Sequence, residues 1–74
     1  MDEIYAILQD VRPEFDFKGS DDYISDGLLD SFDMVYLVTL LEEGFGIKIN
    51  ALDILPENFM SAAAIGALVA KSQR

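Results

Sequence analysis

A chain of 74 residues, 51% of them hydrophobic, is long enough for one small domain with a single modest core. Fourteen acidic residues against five basic ones give a formal net charge of −9. This charge excludes the basic surface that nucleic-acid binding requires, and it favours partners with basic surfaces. The sequence contains no Cys and no His, which excludes disulfide bonds, Cys/His zinc sites and catalysis by a thiol or an imidazole.

The sequence carries no signal for a membrane or for export. No apolar run approaches the ~20 residues that a membrane-spanning helix needs. The first residues lack the basic start and long apolar stretch of a secretory signal. We therefore expect a cytoplasmic monomer that forms one domain over residues 1–74 and has no membrane span.

Apolar periodicity predicts a first helix, followed by a long connection. One face of this helix repeats at helical spacing through Ile4, Ile7, Leu8 and Val11. Pro13 disfavours helical backbone at Arg12, so the helix is expected to end there. Residues 13–30 combine turn-forming segments with apolar residues, which predicts a connection that packs on the core at several points.

The second helix is predicted from Ser31 to Phe45, with either Asp30 or Ser31 as its N-cap and Gly46 as its C-cap. Its buried stripe is predicted to contain Met34, Leu37, Val38, Leu41 and Phe45. The opposite face begins with apolar and aromatic residues beside Ser31 and becomes acidic at its far end. Such a face is a candidate partner surface, and the alternative is that the connection 13–30 covers part of it.

Two further segments complete the predicted fold. Residues 47–50 are expected to be extended, and residues 53–58 to form a short helix or a single turn. Ser61 is expected to cap a last helix over 62–72, whose core stripe is Ile65, Leu68 and Val69. The predicted fold class is all-α, a small four-helix bundle of three main helices and one short helix.

Two kinds of site fail on inspection. An EF-hand loop starting at Asp22 would place Ile24 at the third position, where a side-chain ligand is required. A serine hydrolase needs a base beside its nucleophile, and the chain has no His. We therefore predict no catalytic residue, no metal ligand and no enzymatic activity. If the protein takes part in chemistry, it does so through an attached group, and Ser31 is the attachment point.

The residues around Ser31 carry a family resemblance. Residues 30–35 read DSFDMV, residues 37–38 read LV, and residues 41–47 read LEEGFGI, without a gap from Ser31 to Ile47. This pattern resembles the acyl carrier proteins, and residues 27–31, GLLDS, resemble the segment that leads into the same helix of that family. The likeness is strong over residues 27–49 and follows the order of elements along almost the whole chain.

The resemblance implies a role for each of these residues. In the family a phosphopantetheinyl transferase moves the 4′-phosphopantetheine arm of coenzyme A onto the serine, which is Ser31 here, and the thiol of the arm then carries cargo as a thioester. Asp30 would help present Ser31 to the transferase and its metal ion. The positions at which family members dock their partner enzymes correspond here to Phe32, Asp33, Val35, Tyr36, Thr39, Glu42 and Glu43.

Departures from the fatty-acid carriers suggest the kind of cargo. Fatty-acid carriers typically have an acidic residue where Tyr36 stands and a hydrophobic one where Thr39 stands. Residues 53–61 are also about one residue longer, and both features look more like the D-alanyl and peptidyl carriers, which are loaded by adenylate-forming ligases. A fatty-acid or polyketide carrier is the alternative within the same fold. A small helical interaction module, with Ser31 only a helix cap, is the alternative of another class.

Overall fold

Three α-helices form the framework of the computed structural model, which describes residues 2–73. They are α1 (Asp2–Val11), α2 (Ser31–Phe45) and α3 (Ala62–Ser72). Short 3₁₀ turns occur at Phe17–Gly19, Ala51–Asp53 and Pro56–Asn58, and the described residues contain no strand. No helix in this range has the length and apolarity needed to cross a membrane.

The predicted apolar stripes are confirmed for all three helices, and the predicted caps Gly46 and Ser61 are confirmed for α2 and α3. The Ser61 hydroxyl accepts a hydrogen bond from the Ala64 amide at 3.1 Å, and Gly46 ends α2 in the left-handed conformation at φ 64°. Every member of the predicted stripes is buried or half-buried. The helices enclose one core, whose helical members are Ile4, Leu8, Met34, Leu37, Val38, Leu41, Ala62, Ile65, Leu68 and Val69.

The connection 13–30 contributes to this core, as its apolar content predicts. Phe17 and Tyr23 are each 1% exposed, and their rings meet edge to face with centroids 5.0 Å apart. The Tyr23 amide donates to the Met60 carbonyl at 2.7 Å, and the Leu28 amide donates to the Tyr23 carbonyl at 2.8 Å. Burial raises the pKa of the Tyr23 hydroxyl above its ordinary value. The chain therefore reaches α2 from a segment that is fastened to the core.

The segment between α2 and α3 forms turns rather than a regular fourth α-helix. The predicted single turn around Pro56 is present as a 3₁₀ turn, and Ala51–Asp53 forms another. Leu55 lies between them in an extended conformation, which the following Pro56 favours because its ring disfavours helical backbone in the residue before it. The Asn58 side-chain amide donates to the Asp53 carbonyl at 2.7 Å and ties the two turns together.

Two phenylalanines test whether the connection belongs to the core. Phe17→Ala removes a buried ring and should lower the free energy of unfolding by about 3–5 kcal/mol. A domain of this size has only a few kcal/mol in total, so the variant should be largely unfolded. Phe32→Ala removes a ring that is 86% exposed and should change stability by no more than about 0.5 kcal/mol. Urea unfolding followed by circular dichroism measures both, and equal midpoints for the two variants would contradict the prediction.

Candidate functional site

A reciprocal pair of hydrogen bonds starts α2. The Asp33 amide donates to Asp30 Oδ1 at 2.9 Å, and the Asp30 amide donates to Asp33 Oδ2 at 3.1 Å. Asp30 has extended backbone, with φ −116° and ψ −174°, as an N-cap requires. The cap that the sequence left open between two residues is therefore Asp30, and Ser31 is the first residue of the helix.

Ser31 is exposed, and it is Asp30 and Asp33 that cap the N-terminus of α2. The side-chain hydrogen bonds that start α2 are made by Asp30 and Asp33 rather than by the Ser31 hydroxyl. The hydroxyl lies at the N-terminal end of a 15-residue helix, where the helix dipole and unpaired backbone amides favour negative charge. This position leaves the oxygen accessible for attachment of an anionic group.

Arg12 links the end of α1 to this cap, and sequence reasoning missed it. Its Nε donates to Asp33 Oδ2 at 3.0 Å, and its guanidinium also lies 3.6 Å from Asp30 Oδ2 and 3.4 Å from Glu14 Oε2. The one indication in the sequence that Arg12 pairs with an acidic residue is that it is one of only five basic residues and stands at the end of a helix. Its partner lies 21 residues away, beyond the reach of local pattern analysis.

The charges of the cap are stabilised by these contacts. The hydrogen bond from the Asp33 amide lowers the pKa of the Asp30 carboxyl below its ordinary value, and the Arg12 guanidinium contributes a smaller lowering. The hydrogen bond to Asp33 raises the pKa of Arg12. Asp30 and Arg12 are therefore both charged at neutral pH, and Asp30 presents an ionised carboxylate beside Ser31.

Most of the predicted docking face is exposed next to Ser31. The side chains of Phe32, Val35 and Tyr36 are 86%, 63% and 50% exposed, so the connection 13–30 does not cover them. Thr39 and Glu43 are also exposed on α2. An apolar and partly aromatic surface on a small acidic protein is a candidate contact surface for another molecule.

Two of the predicted docking residues are engaged within the fold. The Asp33 side chain is 14% exposed and is bound by Arg12 and by the Asp30 amide. Glu42 Oε2 accepts a hydrogen bond from the Ile49 amide at 2.8 Å, which fastens the segment that follows α2. Glu43 therefore provides the exposed carboxylate at the acidic end of this face.

Two exposed leucines outside α2 were not singled out from the sequence. Leu52 is 81% exposed in the turn Ala51–Asp53, and Leu55 is 42% exposed in the extended stretch before the turn Pro56–Asn58. In the sequence they are apolar residues in a short segment between two helices, and apolar residues in such a segment are equally expected to pack on the core. They are candidate contact residues in addition to the face on α2.

Ser31 does not line either of two grooves on the described surface. One open groove of about 600 Å³ is lined by α1 and by residues 14–18, and none of its lining residues belongs to α2. Another, of about 230 Å³, lies between residues 22–25 and 56–60. An open position suits a group that is attached to the serine better than a substrate that must be enclosed for catalysis.

Comparison with protein-family models, with curated proteins and with solved structures finds no match for this chain. The functional interpretation therefore depends on the residues around Ser31, on their geometry and on the likeness of their sequence pattern to carrier proteins.

The titration of Asp30 gives a test of the cap. Its folded-state pKa is lowered, so ionised Asp30 stabilises the fold at pH above its unfolded value of about 3.9, and this contribution is lost as the pH falls through the folded-state pKa. Asp30→Asn retains a capping oxygen that does not titrate, so its stability should vary less with pH below about 4. Urea unfolding at a series of pH values measures the difference.

The control variant is Asp30→Ala, which removes both the cap and the charge. It should be less stable than Asp30→Asn at neutral pH while sharing its weaker pH dependence, because neither residue titrates. Wild-type pH dependence in both variants would show that Asp30 does not contribute to acid sensitivity.

Proposed function

We propose that this protein is an acyl or aminoacyl carrier in which Ser31 bears a 4′-phosphopantetheine arm, on an acyl-carrier-like scaffold of three α-helices with 3₁₀ turns in place of the short helix, and that it works as a cytoplasmic monomer. The observation that supports this most is the exposure of Ser31 at the start of α2 while Asp30 performs the capping. A serine that is not needed as the cap fits an attachment point better than a structural role.

The proposed modification is a transfer of phosphopantetheine from coenzyme A. The Ser31 hydroxyl oxygen forms a bond to the phosphorus that bears the pantetheine arm. The phosphoanhydride bond of coenzyme A breaks, the adenosine 3′,5′-bisphosphate leaves with the electron pair, and the hydroxyl proton passes to a base of the transferase. The attached arm supplies a thiol, a group that the chain itself lacks because it has no Cys.

The residues beside Ser31 suit this modification. A phosphodiester on Ser31 would lie at the N-terminal end of α2, where negative charge is favoured. Asp30 Oδ2 lies 3.6 Å from the Arg12 guanidinium, and the Asp30 side chain is 58% exposed, so this carboxylate is accessible to the metal ion of a transferase. Asp30 therefore has two roles in the proposal, as the cap of α2 and as the carboxylate that presents Ser31.

The exposed face on α2 supports docking of the enzymes that load and unload the arm. Its aromatic start, Phe32 and Tyr36, supplies apolar contact beside Ser31, and Glu43 supplies charge toward the other end. We favour an adenylate-forming ligase as the loading partner and an aminoacyl or small acyl cargo, because Tyr36 and Thr39 resemble the D-alanyl and peptidyl carriers. A fatty-acid or polyketide cargo is the alternative.

Intact mass spectrometry tests the attachment. The chain is incubated with coenzyme A, Mg²⁺ and a phosphopantetheinyl transferase of broad specificity, and wild type should gain the mass of one phosphopantetheine arm. Ser31→Ala should gain none, because the attacking oxygen is missing. Ser25→Ala, which removes another exposed serine hydroxyl in the approach to α2, should be modified as wild type is.

Failure of folded wild type to gain mass, beside a working control carrier, would overturn the carrier proposal. The interaction module would then be the better account, with the exposed face on α2 docking a single partner. Modification of Ser31→Ala would instead show that the arm is attached elsewhere.

The charge of the chain predicts that modification depends on salt. With a net charge of −9, encounter with a basic transferase surface should be assisted electrostatically, so kcat/KM should fall as salt rises. The Debye length shortens from about 10 Å at 0.1 M salt to about 3 Å at 1 M, which should lower kcat/KM several-fold. Rates that do not change with salt would instead make the apolar part of the face, at Phe32 and Tyr36, the main contact.

A further inference from the structure

Arg12 is held in a fixed position at the end of α1. Its amide donates to the Leu8 carbonyl at 3.0 Å, which continues the hydrogen bonding of the helix for one residue beyond Val11. Its carbonyl accepts from the Phe15 amide at 3.3 Å across Pro13. Because the backbone of Arg12 is restrained on both sides, its side chain projects from a defined point.

This side chain crosses to the start of α2. Asp33 Oδ2 accepts hydrogen bonds both from Arg12 Nε at 3.0 Å and from the Asp30 amide at 3.1 Å. One carboxylate oxygen therefore joins α1 to the backbone of the residue directly before Ser31. The Asp33 side chain is 14% exposed, so water competes less for this contact than it does at most surface ion pairs.

The first turn of a helix frays readily unless its cap is fixed. The cap here depends on the orientation of the Asp33 side chain, and Arg12 is the side chain that holds it from another helix. The position and direction of the Cα–Cβ bond of Ser31, which carries the hydroxyl, follow from the backbone of Asp30 and from the first turn of α2. Transfer of a phosphoryl group requires the attacking oxygen to lie in line with the leaving group, so loss of this order should slow the reaction.

We infer that Arg12 is a positioning residue for the modification of Ser31, which it assists by fixing the Asp33 carboxylate and, through it, the start of α2. This inference rests on the carrier function proposed above and assigns it a residue far from Ser31 in sequence. Arg12 does not touch the reacting atoms; it acts through Asp33 on the backbone that carries the serine hydroxyl.

Steady-state modification kinetics separate this role from general effects of charge. Arg12→Gln removes the ion pair and one positive charge, and we expect kcat to fall about tenfold with a smaller change in KM. Arg12→Lys keeps the charge but lacks the planar guanidinium that reaches Asp33, Asp30 and Glu14 at once, so its kcat should lie between those of Arg12→Gln and wild type.

The chain offers a matched control in Lys71, on α3. Its Nζ lies 2.8 Å from Asp53 Oδ1, an ion pair across 18 residues that does not involve the start of α2. Lys71→Gln therefore removes the same charge and a comparable ion pair from the molecule. Its kcat should stay within about twofold of wild type, because a surface substitution far from Ser31 usually has a small effect and does not couple to the start of α2.

Amide hydrogen exchange of the unmodified protein gives a readout that does not depend on a transferase. The Asp33 amide should exchange faster in Arg12→Gln than in wild type or Lys71→Gln, because its hydrogen bond to Asp30 loses the support of Arg12. Unchanged exchange at Asp33 would overturn the positioning role at its first step.

The outcomes for the two proposals differ. Failure of wild type to be modified overturns the carrier function and this inference with it. Normal modification of wild type, with equal kcat values for Arg12→Gln and Lys71→Gln, overturns the role of Arg12 and leaves the carrier function standing. Faster exchange at Asp33 with an unchanged kcat also overturns it, because Arg12 would then stabilise the helix end without orienting Ser31.

Discussion

The reciprocal hydrogen bonds between Asp30 and Asp33 determine where α2 begins and therefore where Ser31 lies. Each residue uses its side-chain oxygen to satisfy the backbone amide of the other. A start one residue later would leave Ser31 outside the helix, and a start one residue earlier would move Ser31 away from its first position. The place of the serine thus depends on one local arrangement, while the apolar stripe of α2 determines that Met34 is buried and Phe32 exposed.

Carboxylates hold both ends of α2 in a chain that is already strongly acidic. At the start, two aspartates accept from backbone amides, and in the last turns of α2, Glu42 accepts from the amide of Ile49, which follows the helix. These groups stabilise the fold although the net charge of −9 opposes compaction, because each is satisfied locally by backbone donors. Arg12 places one of the few basic side chains where two of these carboxylates lie close together.

Local patterns predicted the helices well, because helix limits depend on caps and periodicity within a few residues. The bounds of α2 and α3 were predicted as observed, since Asp30, Gly46 and Ser61 are strong cap residues next to clear apolar stripes. The pairing of Arg12 with Asp33 could not be predicted, because it depends on how two helices pack. For the same reason the engagement of Glu42 with Ile49, which withdraws that carboxylate from the proposed docking face, was not visible in the sequence.

The proposed attachment to Ser31 is easier to reconcile with a stable fold if the Ser31 oxygen is not also the acceptor that starts α2. If Ser31 were the N-cap, attaching a group to its oxygen would remove the acceptor on which the helix start depends. Asp30 and Asp33 provide the acceptors instead, so a group attached to the Ser31 oxygen would leave the hydrogen bonds that start α2 in place. An interaction module would use the exposed face on α2 equally well, but it would give no reason for keeping the hydroxyl beside that face out of the cap.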